Sequence, residues 1–235
     1  MVKKPKVGLY KSWVANMDEG WTRWILSDFG FNYDTLHDSD IKTKDLSIYS
    51  AIIIPHQTES RIVSGHRKGF MPEAYTGGLG LTGSVAIKNY VANGGRLITF
   101  DKASNFAISQ FELPGRNITK SLSPNQLLIP GSLLGITVKK SAVSYGMSSS
   151  AIASFSRSSA FSIISKKQIG EGGREETVEP AVIPAHEVVA SYQKSGLLKS
   201  GYAQNAEKYI GGKIAVLKLP KGLGDVILFG FRPLF

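Results

Sequence analysis

The sequence predicts an α/β domain built on a doubly wound, mostly parallel sheet with a β-rich second half. Three observations predict it. Short apolar runs at Lys6 to Tyr10, Ser50 to Pro55 and Arg96 to Phe100 have the unbroken character of strands buried on both faces. Helical spacing separates them, which is the alternation of a parallel sheet with crossover helices. Beyond residue 125 the chain turns Ser- and Gly-rich and carries strand-like segments instead.

Taken in order, Lys6 to Tyr10 is the first strand. Asn16 to Phe29 is a helix on which Met17, Trp21, Trp24, Ile25 and Phe29 fall near one face. Asn16 or Asp18 can cap it, Asp18 and Glu19 suit its positive end, and Gly30 closes it. Phe31 to Leu36 is a second strand, Asp38 to Asp40 opens a short helical turn, and Ser50 to Pro55 is a third strand. A long glycine-rich loop, His56 to Thr82, leads to a helix over Gly83 to Asn93. A loop of that length in a compact domain is either functional or packed on a partner. Arg96 to Phe100 is the fourth strand, and Ser104 is placed to cap a helix over Asn105 to Phe111.

In the second half, Ser132 to Val138, Ala153 to Ile164 and Glu187 to Gln193 read as strands, and Glu171 to Pro184 as a polar, mobile loop. The end is a hairpin: Lys213 to Lys218, a turn over Pro220 to Gly224, then Asp225 to Phe231. The expected organisation is one domain over 1–235, with an α/β core at 1–125 and a β-rich elaboration at 126–235 completing the sheet.

The 235 residues are 42% hydrophobic, enough for a substantial core. There is no cysteine, which removes disulfides, thiolate ligands and a cysteine nucleophile. No apolar run is long enough to span a membrane. The net charge is +10, but basic residues come in ones and twos, as at Lys3-Lys4, Lys139-Lys140 and Lys166-Lys167. Nucleic-acid binding asks for clustered charge interleaved with aromatics. The expectation is a solvated surface with lysines guarding strand edges and no nucleic-acid partner.

The most specific stretch is Asn16-Met17-Asp18-Glu19-Gly20-Trp21-Thr22-Arg23-Trp24, preceded by Tyr10-Lys11-Ser12-Trp13. With Gly77-Gly78-Leu79-Gly80, Val91 to Gly95, Pro130-Gly131-Ser132, Tyr145-Gly146-Met147 and Gly230-Phe231-Arg232-Pro233, it resembles the C-terminal domain of large bacterial zinc carboxypeptidases of the carboxypeptidase A-like class. The resemblance runs from Lys6 to Phe235. It implies a flavodoxin-like, class I glutamine amidotransferase-like fold and a secreted parent that hydrolyses peptides. Zinc is then expected only in the parent's N-terminal catalytic domain, with none in this chain. That domain becomes the expected partner, and the location extracellular or periplasmic. The family runs past the Arg-Pro turn into a last helix, whereas this sequence stops at Phe235 with Leu234 in place of the usual polar residue. The resemblance therefore implies a trimmed or fragmentary chain.

Two chemistries can be tested on residues. His56-Gln57-Thr58-Glu59 matches an H-x-x-E zinc pair, with His186 downstream. Zinc catalysis needs three protein ligands, an open position and a general base, and no such set is recognisable here. The alternative for His56 is a loop histidine bonded to backbone at the sheet edge. An amidotransferase-like nucleophile would sit on a tight elbow after a central strand, and the matching stretch is Thr99 to Asn105. It has no G-x-C-x-G or G-x-S-x-G, so Ser104 reads as a cap, with a Ser104, His186, Glu187 hydrolase set as the alternative.

No catalytic residue is therefore assigned. Trp13, Asn16, Asp18, Glu19, Trp21, Arg23, His56 and Ser104 are expected at the carboxyl edge of the strands, where open α/β sheets form their crevice. They would line a relic or repurposed ligand site for a sugar or peptide, or an interdomain surface. In the purely structural reading Trp21 and Trp24 are core, Asp18 and Glu19 cap the helix, and Arg23 pairs with a carboxylate or with the catalytic domain.

Overall fold

A computed structural model describes residues 5–164 and 185–234. The expectations for Lys3-Lys4, Lys166-Lys167 and the loop 171–184 lie outside those residues. The first half alternates as predicted: β1 (Lys6–Tyr10), α1 (Met17–Asp28), β2 (Asn32–Leu36), α2 (Asp38–Thr43), β3 (Ala51–Ile54), α3 (Glu59–Ser64), α4 (Gly80–Ala92), β4 (Arg96–Phe100) and α5 (Ala103–Gln110). The second half is strand-rich: β5 (Gly115–Asn117), β6 (Ser132–Val138), β7 (Ser150–Phe155), β8 (Phe161–Ile163), β9 (Glu187–Tyr192) and β10 (Leu198–Gly201). It then runs through a short α6 (Ala206–Ile210) into β11 (Ile214–Lys221) and β12 (Gly224–Phe229).

One sheet joins the halves in the order β10-β6-β9-β11-β12-β4-β3-β1-β2. From β2 to β12 the neighbours are parallel, and from β12 outward they are antiparallel. The β11–β12 hairpin makes the change: β12 lies parallel to β4 and carries β11 on its other edge. The fold is thus a doubly wound, flavodoxin-like α/β sheet with a β-rich second half.

Strand alternation divides the core. On β3, Ile52 and Ile54 face the cluster beneath α2, α4 and α5, while Ile53 faces α1. The α4 and α5 side is built from large apolar residues, including Ile87, Val91, Phe106 and Phe111. The α1 side is thinner, with Leu26 over Val7, Leu9, Ile53 and Phe100.

Helix α1 corrects the expected core. Its period is 3.6, but its apolar face points outward. Asp18, Glu19, Thr22 and Leu26 are buried, whereas Met17 (63% exposed), Trp21 (46%), Trp24 (57%) and Phe29 (71%) face solvent. The Thr22 hydroxyl donates to the Asp18 carbonyl at 2.7 Å, and Glu19 pairs with Arg23 at 3.4 Å. Asp18 meets Arg232, from the turn after β12, at 3.7 Å. Periodicity shows that a helix has two faces; here the polar face, with Asp18 beside Arg232, is the one turned in.

Other differences are local. The long loop contains α3 and a 3-10 turn at Glu73–Tyr75, and it closes where Gly65 (φ 59°) meets Gly77 and Gly78. A Cβ on Gly65 would strike the Gly77 carbonyl. The span read as one strand over Ala153 to Ile164 is two, β7 and β8. Pro220 lies within β11, and the hairpin turns at Gly222 (φ 63°) and Leu223.

Candidate functional site

At the carboxyl ends of β3 and β4 the chain assembles a charged cluster. Asp101, the residue immediately after β4, adopts φ 49°. It lies in the Thr99 to Asn105 turn tested above for a nucleophile elbow. A non-glycine residue in the left-handed region costs energy, and Asp and Asn bear that cost best. Here Asp101 is fully buried. The Ser158 hydroxyl donates to Oδ2 at 3.1 Å and the Ser159 hydroxyl to Oδ1 at 3.0 Å. The Asp101 amide donates to the Phe229 carbonyl at 2.8 Å, fastening the elbow to β12.

His56, two residues past β3, places Nδ1 2.9 Å from Asp101 Oδ2. The contact is close but not aligned as a hydrogen bond, since Nδ1 has no hydrogen-bond partner by geometry. Arg232 Nη2 lies 3.1 Å from His56 Nε2. A guanidinium can only donate, so Nε2 accepts and the ring proton sits on Nδ1, facing Asp101. Arg232 Nε is also 3.7 Å from both Asp101 Oδ2 and Asp18 Oδ1. Burial of Asp18 raises its carboxyl above the usual range, against the opposing pull of Arg232 and His56. Two acids, one guanidinium and one imidazole thus form a compact, half-sealed network. Its histidine has its second nitrogen occupied by Arg232 and does not face a nucleophile.

The predicted site residues divide. Asp18 and His56 join this cluster, and His56 contacts a carboxylate and a guanidinium rather than the backbone expected of it. Ser104 corrects its assignment as a cap. It lies inside the first turn of α5, fully buried, hydrogen-bonded to the Thr99 hydroxyl at 2.9 Å and donating to the Phe229 carbonyl at 3.1 Å. Glu187 pairs with Lys218, which also reaches Asp225 and so the Arg96 end of β4, opposite to Ser104. The Ser104, His186, Glu187 arrangement is therefore not assembled. Glu59 turns to Ser109 and Gln110 instead of joining His56. Among the described residues, no group of three or more His, Asp or Glu could hold a metal ion.

Asn16 caps α1 as expected, accepting from the Asp18 amide at 3.0 Å. Arg23 pairs with a carboxylate, Glu19. Trp13 forms a second group: it stacks on His37 at 3.8 Å and 4°, meets Tyr75 edge-on at 4.7 Å, and its carbonyl lies 3.1 Å from His66 Nε2. That contact ties the long loop to the chain after β1. Trp21 and Trp24 pack edge-to-face on each other at 6.0 Å, on the outer surface.

Sequence reasoning took in Asp101 within the Thr99 to Asn105 turn and Arg232 within the Gly230 to Pro233 motif without giving either a role in the site, and it did not reach Ser158 or Ser159. Asp101 follows directly on the strand run Arg96 to Phe100, which was a usable signal. The serines offered none, because they lie 57 and 58 residues from their partner.

No family model and no curated protein sequence matches the chain. Solved structures do. A glutamine amidotransferase from Thermotoga maritima aligns over 98% of this chain and 76% of its own, at 10% identity and TM-score 0.52. A ThuA-like protein from Bacteroides uniformis aligns over 99% and 84%, at 13% identity and TM-score 0.51. A β-galactosidase from Bacillus circulans sp. alkalophilus aligns over 98% of this chain at 13% identity and TM-score 0.57, and the chain spans only 29% of that enzyme. These likenesses define the fold as class I glutamine amidotransferase-like. Among the described residues no helix is long and apolar enough to cross a membrane.

Proposed function

We propose that this chain is a non-catalytic accessory domain that packs, through the outer face of α1, against another domain of a larger polypeptide. The observation that carries the reading is the inversion of α1, with Met17, Trp21, Trp24 and Phe29 outward over a buried polar face. Taking a buried aromatic side chain at 150–250 Å², these residues and Phe31 expose on the order of 500 Å² of apolar surface. That is at the upper end for a monomer and suits the centre of a standard interface. Tryptophan is a usual anchor of such centres, and Trp21 and Trp24 pack edge-to-face on that surface.

The sealed elbow supports the non-catalytic half of the proposal. Both Asp101 oxygens are occupied and the carboxylate is out of reach of solvent. The proposed parent is the secreted bacterial zinc carboxypeptidase that the Asn16 to Trp24 stretch resembles, with zinc held in its N-terminal catalytic domain, which α1 would contact. None of the solved structures described above is a carboxypeptidase, so this finer proposal rests on the sequence resemblance alone. Mass spectrometry of the native polypeptide, with peptide coverage, tests it. Peptides continuing upstream into a domain with a full zinc-ligand set are expected. A native polypeptide beginning at Met1 would remove the carboxypeptidase parent.

A further inference from the structure

Beside the elbow lies a cavity of about 470 Å³ that the charged cluster does not use. It is lined by Thr58 and Glu59 after β3, Lys102 and Asn105 at the start of α5, Asn117 of β5, and Thr119, Lys120, Arg157 and Ser159. Its size falls within the range of small-ligand sites, and it lies outside the carboxyl ends of parallel strands.

Its chemistry is one-sided. Lys102, Lys120 and Arg157 form no ion pair among the described residues, although three cations converge on one hollow. Glu59 is the only acid in the lining, and its carboxylate already accepts from Ser109 and Gln110. Unpaired cations brought together repel one another, so a fold that gathers them leaves a site favourable to an anion. The floor is polar and fixed. Asn117 Nδ2 donates to Asn105 Oδ1 at 3.1 Å and to Ser159 Oγ at 3.0 Å, and Ser159 in turn donates to Asp101. The buried elbow thereby sets the orientation of the cavity's amides. Arg157 is itself held at φ 51°, a conformation that few residues adopt without need.

We propose that this cavity binds a small phosphorylated polyhydroxy compound, with Lys102, Lys120 and Arg157 around the phosphate and the Asn105 amide, held in place by Asn117, toward the hydroxyls. An arginine fork and two lysines match a dianionic phosphate, and amides and hydroxyls match a sugar-like chain. The inference does not depend on the accessory-domain reading, since it uses neither α1 nor a parent polypeptide.

Isothermal titration calorimetry on the 235-residue chain tests it, near physiological salt. The ligands are glucose 6-phosphate, ribose 5-phosphate, glycerol 3-phosphate, inorganic phosphate, glucose and a short duplex DNA. At least one phosphorylated polyol should bind with a Kd below about 1 mM, more tightly than inorganic phosphate, with no heat from glucose. Arg157→Asn, which keeps a residue tolerant of positive φ, and Lys120→Gln should each weaken binding by about tenfold, the scale of one charge-assisted hydrogen bond. Both variants should unfold at the parent temperature, because the side chains are exposed. Lys140→Gln, exposed and outside the cavity, should change nothing. The proposal is overturned if all three phosphorylated polyols fail to bind at about 10 mM. It is overturned equally if inorganic phosphate or DNA binds as tightly as the best of them. Lys140→Gln weakening binding as much as Arg157→Asn would reduce the effect to diffuse charge and overturn it too.

Discussion

Arg232 donates to Nε2 of His56 at 3.1 Å, and the other nitrogen of that ring faces Asp101 at 2.9 Å. Residues 176 positions apart thus hold the ends of β3, β4 and β12 together around one buried carboxylate. Asp101→Asn tests how much this matters. Asparagine tolerates the same positive φ, so the backbone is unaffected while the charge is lost and one acceptor oxygen becomes an amide nitrogen. The variant should be destabilised by about 2–4 kcal/mol, because Arg232 loses its buried carboxylate and one of the two serines faces an amide nitrogen in place of an acceptor. Urea unfolding of both forms measures it.

Ser104→Ala separates a structural from a catalytic serine. The hydroxyl links Thr99 and the Phe229 carbonyl inside the sheet. Its loss should cost about 1 kcal/mol of stability. Any ester or amide hydrolysis by the purified chain should be the same in both forms. A hydrolytic rate abolished by the change would revive the hydrolase reading.

Trp24→Gln addresses the outer face of α1. Trp24 touches Trp21 edge-on and is 57% exposed. In the isolated chain the substitution should shift stability by no more than about 0.5 kcal/mol, as expected at a surface. A loss of several kcal/mol would mean that the face is part of the core after all.

Acid titration isolates Asp34. The Lys6 ammonium, 2.8 Å away, and the Tyr49 hydroxyl, also at 2.8 Å, hold its carboxyl below the usual range. A carboxyl depressed on folding stabilises the protein above its ordinary value and loses that contribution as the pH falls through the folded value. The pair is half exposed, so the contribution is about 0.5 kcal/mol. Stability of the parent chain relative to Asp34→Asn should therefore shrink toward zero between about pH 5 and pH 2. Asp18 acts in the opposite sense: its carboxyl is raised by burial, so its ionisation weakens the fold as the pH rises past the ordinary carboxyl value.

The strands and most helices could be read from the sequence because their signals are local. Apolar runs mark β1, β3 and β4 within a residue or two. The direction of α1 could not, because helical spacing is the same whether Trp21 and Trp24 face in or out. What turns them out is the partnering of Asp18 with Arg232, 214 positions away. The site was half legible for the same reason. Asp18 and His56 stood out at strand ends, while Asp101 looked like a turn residue until Ser158, Ser159 and Arg232 were folded against it. Helix α6 and strand β10 escaped notice because each is five residues or fewer and neither carries a clear period.

The chain contains only three tryptophans, so oxidative footprinting read by mass spectrometry can follow Trp13, Trp21 and Trp24 individually. The native polypeptide and the isolated 235-residue chain should be compared under the same dose. If α1 docks on another domain, Trp21 and Trp24 will be protected in the native polypeptide and readily oxidised in the isolated chain, while Trp13, stacked on His37, reacts equally in both. Equal oxidation of Trp21 and Trp24 in the two samples would contradict the account.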